Sequence, residues 1–103
     1  INKLDRSLRF EIEKLLQEIV SNVLKHAEAE SVYLDIYIDN RNFKINRRDD
    51  GIGFEYTKDK ETGFGINGII NRIERLDGEV EIESAPGKGV VFRISIPDKQ
   101  DKN

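Results

Sequence analysis

Val32-Tyr33-Leu34-Asp35-Ile36-Tyr37-Ile38-Asp39 sets aliphatic residues at every second position, and after the turn at Asn40 to Asn42 the alternation resumes at Phe43 and Ile45. Successive side chains on a strand point to opposite faces, so this period of two predicts a β-hairpin with Val32, Leu34, Ile36 and Ile38 on one buried face. Upstream, Ile12, Leu15, Leu16, Ile19, Val20, Val23, Leu24 and Ala27 recur at spacings of three and four. That is the stripe of a helix from about Ser7 to Ala29 with one buried face. Downstream, Ile66, Ile69, Ile70, Ile73 and Leu76 mark a second helix, stopped by Gly78, a residue that tolerates the left-handed C-terminal conformation. Val80 and Ile82, a turn at Ala85-Pro86-Gly87-Lys88-Gly89, and then Val90, Phe92, Ile94 and Ile96 predict a second hairpin. The order helix, two strands, helix, two strands is an α+β pattern. It implies a two-layer α/β sandwich with helices on one face of a mixed, mostly antiparallel sheet.

At 103 residues the chain suits one domain with one core. Residues 1–97 carry the pattern, and the polar stretch Asp98 to Asn103 reads as a tail or tether. With 37% hydrophobic and 36% charged residues, no apolar run approaches the roughly 18 residues of a membrane span, so direct membrane contact is not expected. The 17 basic and 20 acidic residues are well mixed, without the basic stripe that grips phosphate backbones, which argues against a nucleic-acid partner. Having no cysteine excludes disulfides, thiolate zinc sites and thiol nucleophiles, and fits a reducing, cytoplasmic setting. Oxygen and imidazole ligands remain, for which magnesium is the natural metal. A chain with no methionine and no signal-type segment is read as a domain excised from something longer.

Chemistry concentrates in three places. Glu18, Asn22, Lys25 and His26 project from adjacent turns of the first helix as one polar ridge. A carboxylate can take a proton, an amide oxygen can hold magnesium and lysine can meet a phosphate, although a solvated face with an ion pair fits the same spacing. Next, Asp49-Asp50-Gly51-Ile52-Gly53 follows a strand. Its carboxylate is an acceptor suited to the amine of adenine, beside glycines that allow close approach; a surface turn uses the same residues. Last, Gly63-Phe64-Gly65-Ile66-Asn67-Gly68 leads into the second helix, whose first amides could bind phosphate. It matches G-x-G-x-x-G literally, but the preceding segment is charged and the βαβ setting of a dinucleotide fold is missing. Gly87-Lys88-Gly89 lacks the spacing and hydroxyl of a Walker A loop and reads as a hairpin turn.

In this order the residues resemble the GHKL nucleotide-binding superfamily, which includes histidine kinases, gyrase, mismatch-repair ATPases and a heat-shock chaperone family. Glu18-Ile19-Val20-Ser21-Asn22-Val23-Leu24-Lys25-His26-Ala27 resembles its N box, Asp49 to Gly53 its D-x-G-x-G box, and Gly63 to Ile66 its second glycine box. Ala85 to Gly89, running through Phe92 to Pro97, resembles the closing hairpin of the histidine kinases. Each motif alone is weak; four in order over about Leu8 to Pro97 are specific. Lys25-His26-Ala27, the short lid and the Gly68 to Arg72 run look most like the subfamily with nitrate, membrane-fluidity and cell-wall-stress sensors.

The resemblance implies a Bergerat-type ATP-binding fold serving as the catalytic domain of a two-component sensor histidine kinase. The γ-phosphate of ATP would pass to a histidine on a separate upstream dimerisation domain, and from there to a response regulator of the parent protein. Asn22 would hold Mg2+, Glu18 would act near the γ-phosphate, and Lys25 and His26 would face the phosphates. Asp49 would accept from adenine, with Gly51 and Gly53 giving the backbone room, Ile52 packing against the base and Val90 at the position that supports the aspartate, while Gly63, Phe64, Gly65 and Ile66 would close the lid. His26, the only histidine, falls in the N box and is expected in the pocket rather than as the phosphorylated group. Three departures accompany the match. Arg47 stands where the family has an apolar strand residue, and would either fray the strand end or reach a phosphate or the lid. Val90 replaces a common threonine. The strand expected before the first helix has no clear counterpart in Ile1 to Arg6, leaving an exposed sheet edge. An anti-sigma-factor-type serine kinase and a catalytically degenerate docking module are the alternative functions.

Overall fold

The buried stripe of the first helix is narrower than its apolar spacing suggests. In a computed structural model, which describes residues 6–57 and 65–98, α1 covers Arg6–Asn22 and buries Ile12, Leu15 and Ile19. Val20 is exposed and Leu24 is 81% exposed, so the outer flank of the predicted stripe stays in solvent. The last turn is not α-helical. Val23–Ala27 form a wider π-turn, closed by Glu28 in the left-handed region at φ 48°. Such turns recur at functional sites because they re-aim side chains relative to the preceding helix.

β1 (Val32–Asp39) and β2 (Asn42–Asp49) form the predicted hairpin, in register from Val32 opposite Asp49 to Asp39 opposite Asn42. Its two turn residues, Asn40 and Arg41, both have positive φ, 50° and 65°. That is the turn twist that matches the right-handed twist of the strands it joins. α2 (Ile66–Arg75), β3 (Glu79–Ser84) and β4 (Val90–Pro97) complete the order. The sheet runs β1-β2-β4-β3, and each of its pairings is antiparallel. Both helices lie on one face, where Ile12, Leu15 and Ile19 meet Ile66, Ile69 and Ile73 above Phe43, Ile45 and Phe92. The two-layer sandwich is therefore as expected. No described helix is long and apolar enough to cross a membrane.

β1 departs from expectation. Directly opposed residues of an antiparallel pair share a face, so Leu34, Ile36 and Ile38 point the same way as Arg47, Ile45 and Phe43. Yet Ile45 is 0% and Ile36 41% exposed, and every residue of β1 is exposed. The reason is lateral: α1 and α2 sit above β2, β4 and β3, and no described element reaches over the edge strand. The alternation set the facing of β1 correctly and its burial wrongly.

Two smaller corrections concern chain reversals. At the end of α2 the left-handed residue is Asp77, at φ 60°, not Gly78. Gly78 donates its amide to the Ile73 carbonyl at 2.9 Å, and a Cβ there would lie 2.8 Å from the Ser95 carbonyl oxygen and 2.9 Å from Ile73 and Ile96. It is needed for closeness rather than handedness. Nor does Arg47 fray β2, which stays paired on both sides through Asp49.

Ile45→Ala should lower the unfolding free energy by about 2–5 kcal/mol. Its cross-strand partner variant Ile36→Ala should cost about 1 kcal/mol or less. Urea titrations of the two variants check this, and equal losses would contradict the bare face of β1.

Candidate functional site

The end of α1 and the start of α2 enclose a hollow of about 290 Å³ lined by Glu18, Asn22, Lys25, His26, Gly65 and Arg72, among others. The polar ridge predicted on the first helix is thus one wall of a cleft. Gly65 precedes α2 at φ 78°, a region that disfavours side chains. A Cβ at Gly65 would sit 3.7 Å from Asn22 Nδ2, and one at Gly68 would sit 3.7 Å from Glu18 Oε2. The glycines thus bring the backbone of α2's first turn close to the ridge. Ile66 is buried in the core and anchors that turn. Gly63 and Phe64 lie outside the described residues.

Glu18 is held from across the cleft. Arg72 Nε donates to Glu18 Oε1, and Arg72 Nη1 donates to Glu11 Oε1 at 3.0 Å. The hydrogen bond to Glu18 is the main reason the Arg72 guanidinium titrates above its usual value. These groups are partly exposed, so the pair adds little to stability. Its effect is to orient one carboxylate. Arg72 was not singled out from sequence as a site residue, because its partner is 54 positions away and no spacing rule spans that distance.

Behind Asn22 the site becomes dry. Asp49 is buried, with Oδ1 accepting from the Gly51 amide at 2.9 Å and Oδ2 accepting from Arg47 Nη2 at 2.9 Å. Arg47, 1% exposed, also donates from Nη1 to Asn22 Oδ1 at 2.7 Å. Its guanidinium carbon lies 4.7 Å from the centre of the Phe92 ring, and its buried Nε has no partner among the described residues. Among the described residues Arg47 joins Asn22 to Asp49. The two residues therefore belong to one site.

The glycines of the Asp49 loop serve the protein's own backbone. A Cβ on Gly51 would fall 1.9 Å from the Ala27 carbonyl oxygen, and one on Gly53, at φ 63°, would fall 2.2 Å from that of Ala85. These contacts pin the loop between the π-turn and the second hairpin, helped by the Ile52 amide donating to Ala27 at 2.9 Å. Asp50, unassigned from sequence, accepts from the Glu30 and Ser31 amides at 2.9 Å each. Val90 is buried and brings no hydroxyl, while Ile52 is 46% exposed. Asn22, His26, Arg47, Ile52, Gly53 and Val90 border a residual space of about 10 Å³.

A nucleotide fits this site unevenly. The wet end, with an amide oxygen, a lysine and a helix start, suits phosphates. No described cluster of three or more His, Asp or Glu could hold a cation alone, so a metal there would lean on Asn22 and phosphate oxygens. At the dry end both Asp49 oxygens are engaged by Arg47 and Gly51, and the 10 Å³ beside Arg47 admits about one water and no purine. A larger hollow of about 840 Å³ lies over Tyr33, Asp35, Arg48 and Arg93 on the far face of the sheet. It is open, and its Arg93 is already engaged by Glu83 at 3.0 Å.

A sequence profile of the histidine kinase-, DNA gyrase B-, and HSP90-like ATPases matches residues 8–100. The signal transduction histidine-protein kinase/phosphatase DegS of Brevibacillus brevis is 37% identical over 84 residues, which are 82% of this chain and 22% of that protein. The sensor histidine kinase ComP of Bacillus subtilis is 33% identical over 95 residues, 90% of this chain and 12% of the relative. The chain therefore spans under a quarter of the length of either. Among solved structures, the histidine kinase domain of a blue-light activated kinase from Erythrobacter litoralis superposes with a TM-score of 0.70 at 25% identity, covering 87% of this chain and 47% of that one. This chain therefore belongs to the histidine kinase-, DNA gyrase B- and HSP90-like ATPase family, as an ATP-binding catalytic domain of the sensor histidine kinase type.

Proposed function

We propose that this domain holds ATP with its triphosphate in the cleft between α1 and α2 and presents the γ-phosphate to a histidine on a separate helical dimerisation domain of the parent protein. The observation that carries this reading is the meeting of Glu18, Asn22, Lys25, His26 and the Gly65 turn around one hollow, with Asp49 joined to Asn22 through Arg47. Phosphoryl transfer asks mainly for positioning and charge neutralisation, and these residues offer both. Asn22 would hold Mg2+, which when bound would neutralise phosphate charge. Lys25 and His26 would face the phosphates, and Gly65 brings the start of α2, whose first amides could bind them, to the same hollow. Asp49 would accept from the adenine amine, between Ile52 on one side and Val90 on the other.

Glu18 is the base in this reading. The incoming imidazole nitrogen forms a bond to the γ-phosphorus as the bond to the β,γ-bridging oxygen breaks, and Glu18 receives the imidazole proton. Arg72 keeps that carboxylate aimed into the cleft. The acceptor histidine lies elsewhere, since His26 belongs to the pocket wall. A response regulator would take the phosphate next, in a cytoplasmic setting.

Glu18→Gln keeps the side-chain shape and removes the base. Acid-labile phosphate on an added dimerisation domain should fall about 10²–10⁴-fold, with affinity for a non-hydrolysable ATP analogue staying in the same order of magnitude. Acid-stable phosphoserine on a protein antagonist would instead favour the serine-kinase reading, and intact binding with no transfer would favour a docking module. In calorimetry with and without a chelator, Asn22→Ala should lose a magnesium-dependent gain in affinity of at least about tenfold, roughly 1.4 kcal/mol.

A further inference from the structure

Arg47 occupies the end of the cleft where a base would have to enter, and four observations define how. It is buried, its two terminal nitrogens are spent on Asn22 Oδ1 and Asp49 Oδ2 at 2.7 and 2.9 Å, and its plane lies against Phe92. Its Nε is buried without a partner among the described residues, a sign that the position is held by the two terminal contacts rather than by full satisfaction of the group. The space left beside it is about 10 Å³, against about 290 Å³ at the phosphate end. Both oxygens that it engages are those a magnesium nucleotide would use.

We propose that Arg47 is a specificity-determining latch of the nucleotide site: it ties Asn22 to Asp49, keeps the base end shut, and must swing away before a purine and a metal can be held. This rests on the ATP-binding reading above. Two consequences separate it from a merely structural arginine. A guanidinium and a divalent cation cannot share the Asn22 oxygen at close range, since like charges in a poorly hydrated site repel strongly. Magnesium therefore has to displace Arg47 as well as bind, and its contribution to affinity is reduced. Asp49 likewise has one oxygen committed to Gly51 and the other to Arg47, so an incoming amine competes with an ion already in place. Inorganic pyrophosphate or triphosphate without magnesium reaches only the wet end and does not encounter the latch.

The test is Arg47→Leu, which keeps an apolar body against Phe92 and removes the fork, compared with Arg47→Lys and with the unchanged chain. Binding of an ATP analogue and of inorganic triphosphate is measured by calorimetry with and without magnesium, with thermal melts to show that each variant is folded. The expected result is at least a tenfold gain in ATP-analogue affinity for Arg47→Leu, a larger magnesium dependence, a smaller gain for Arg47→Lys, and unchanged triphosphate binding in the absence of magnesium. A folded Arg47→Leu that binds the analogue no more tightly than the unchanged chain would overturn the latch while leaving the ATP reading standing. If no folded form binds any adenine nucleotide, the ATP reading fails and the latch with it. Should Arg47→Leu not fold, the guanidinium NMR signals of Arg47 in the unchanged chain decide: they shift on saturation with the magnesium analogue if the latch opens, and stay fixed if it does not.

Discussion

A guanidinium with 1% of its surface exposed has to find its counter-charge inside the protein, and Arg47 finds it in Asp49 with the amide of Asn22 as second partner. Burying an ion is costly unless it is paired and hydrogen-bonded, and removing one member of such a pair leaves the other stranded. The end of α1, the inner face of β2 and the floor of the sheet at Phe92 are therefore held in one relative position by a single side chain. Much of the site geometry follows from that constraint, because Asn22 closes the wet cleft and Asp49 opens the loop pinned by Gly51 and Gly53.

The cleft accordingly has two regimes. At the solvent end, Glu18 and Arg72 form a partly hydrated pair whose energetic worth is small and whose value is orientation. At the inner end the same kinds of group interact where water is largely excluded, and each contact decides what can enter. The π-turn Val23–Ala27 is the joint between the regimes. It lets Lys25 and His26 stay at the cleft while the Ala27 carbonyl turns inward to receive the Ile52 amide.

The edge of the sheet shows the limit of a small two-layer fold. Two helices of this length can roof three strands, and the fourth is left with its aliphatic face in solvent although its register is that of a core strand. Val20 on α1 and Leu24 in the π-turn are likewise exposed.

The residues by themselves determined the helices and strands, their order and the facing of β1, and marked three places as candidates for chemistry. Those features are local: a period of two or of three to four, a glycine beside an aspartate, an amide one turn from a carboxylate. Tertiary structure decided what local pattern cannot encode. Whether β1 is covered depends on where helices land, not on its alternation. Which residue of the Asp77-Gly78 pair turns left-handed depends on how closely β4 approaches. The partner of Glu18 came from 54 positions downstream. And Arg47, visible in the sequence only as a charge in an apolar slot, became a bridge because folding set Asn22 and Asp49 on either side of it, where a buried cation is stable only if both answer.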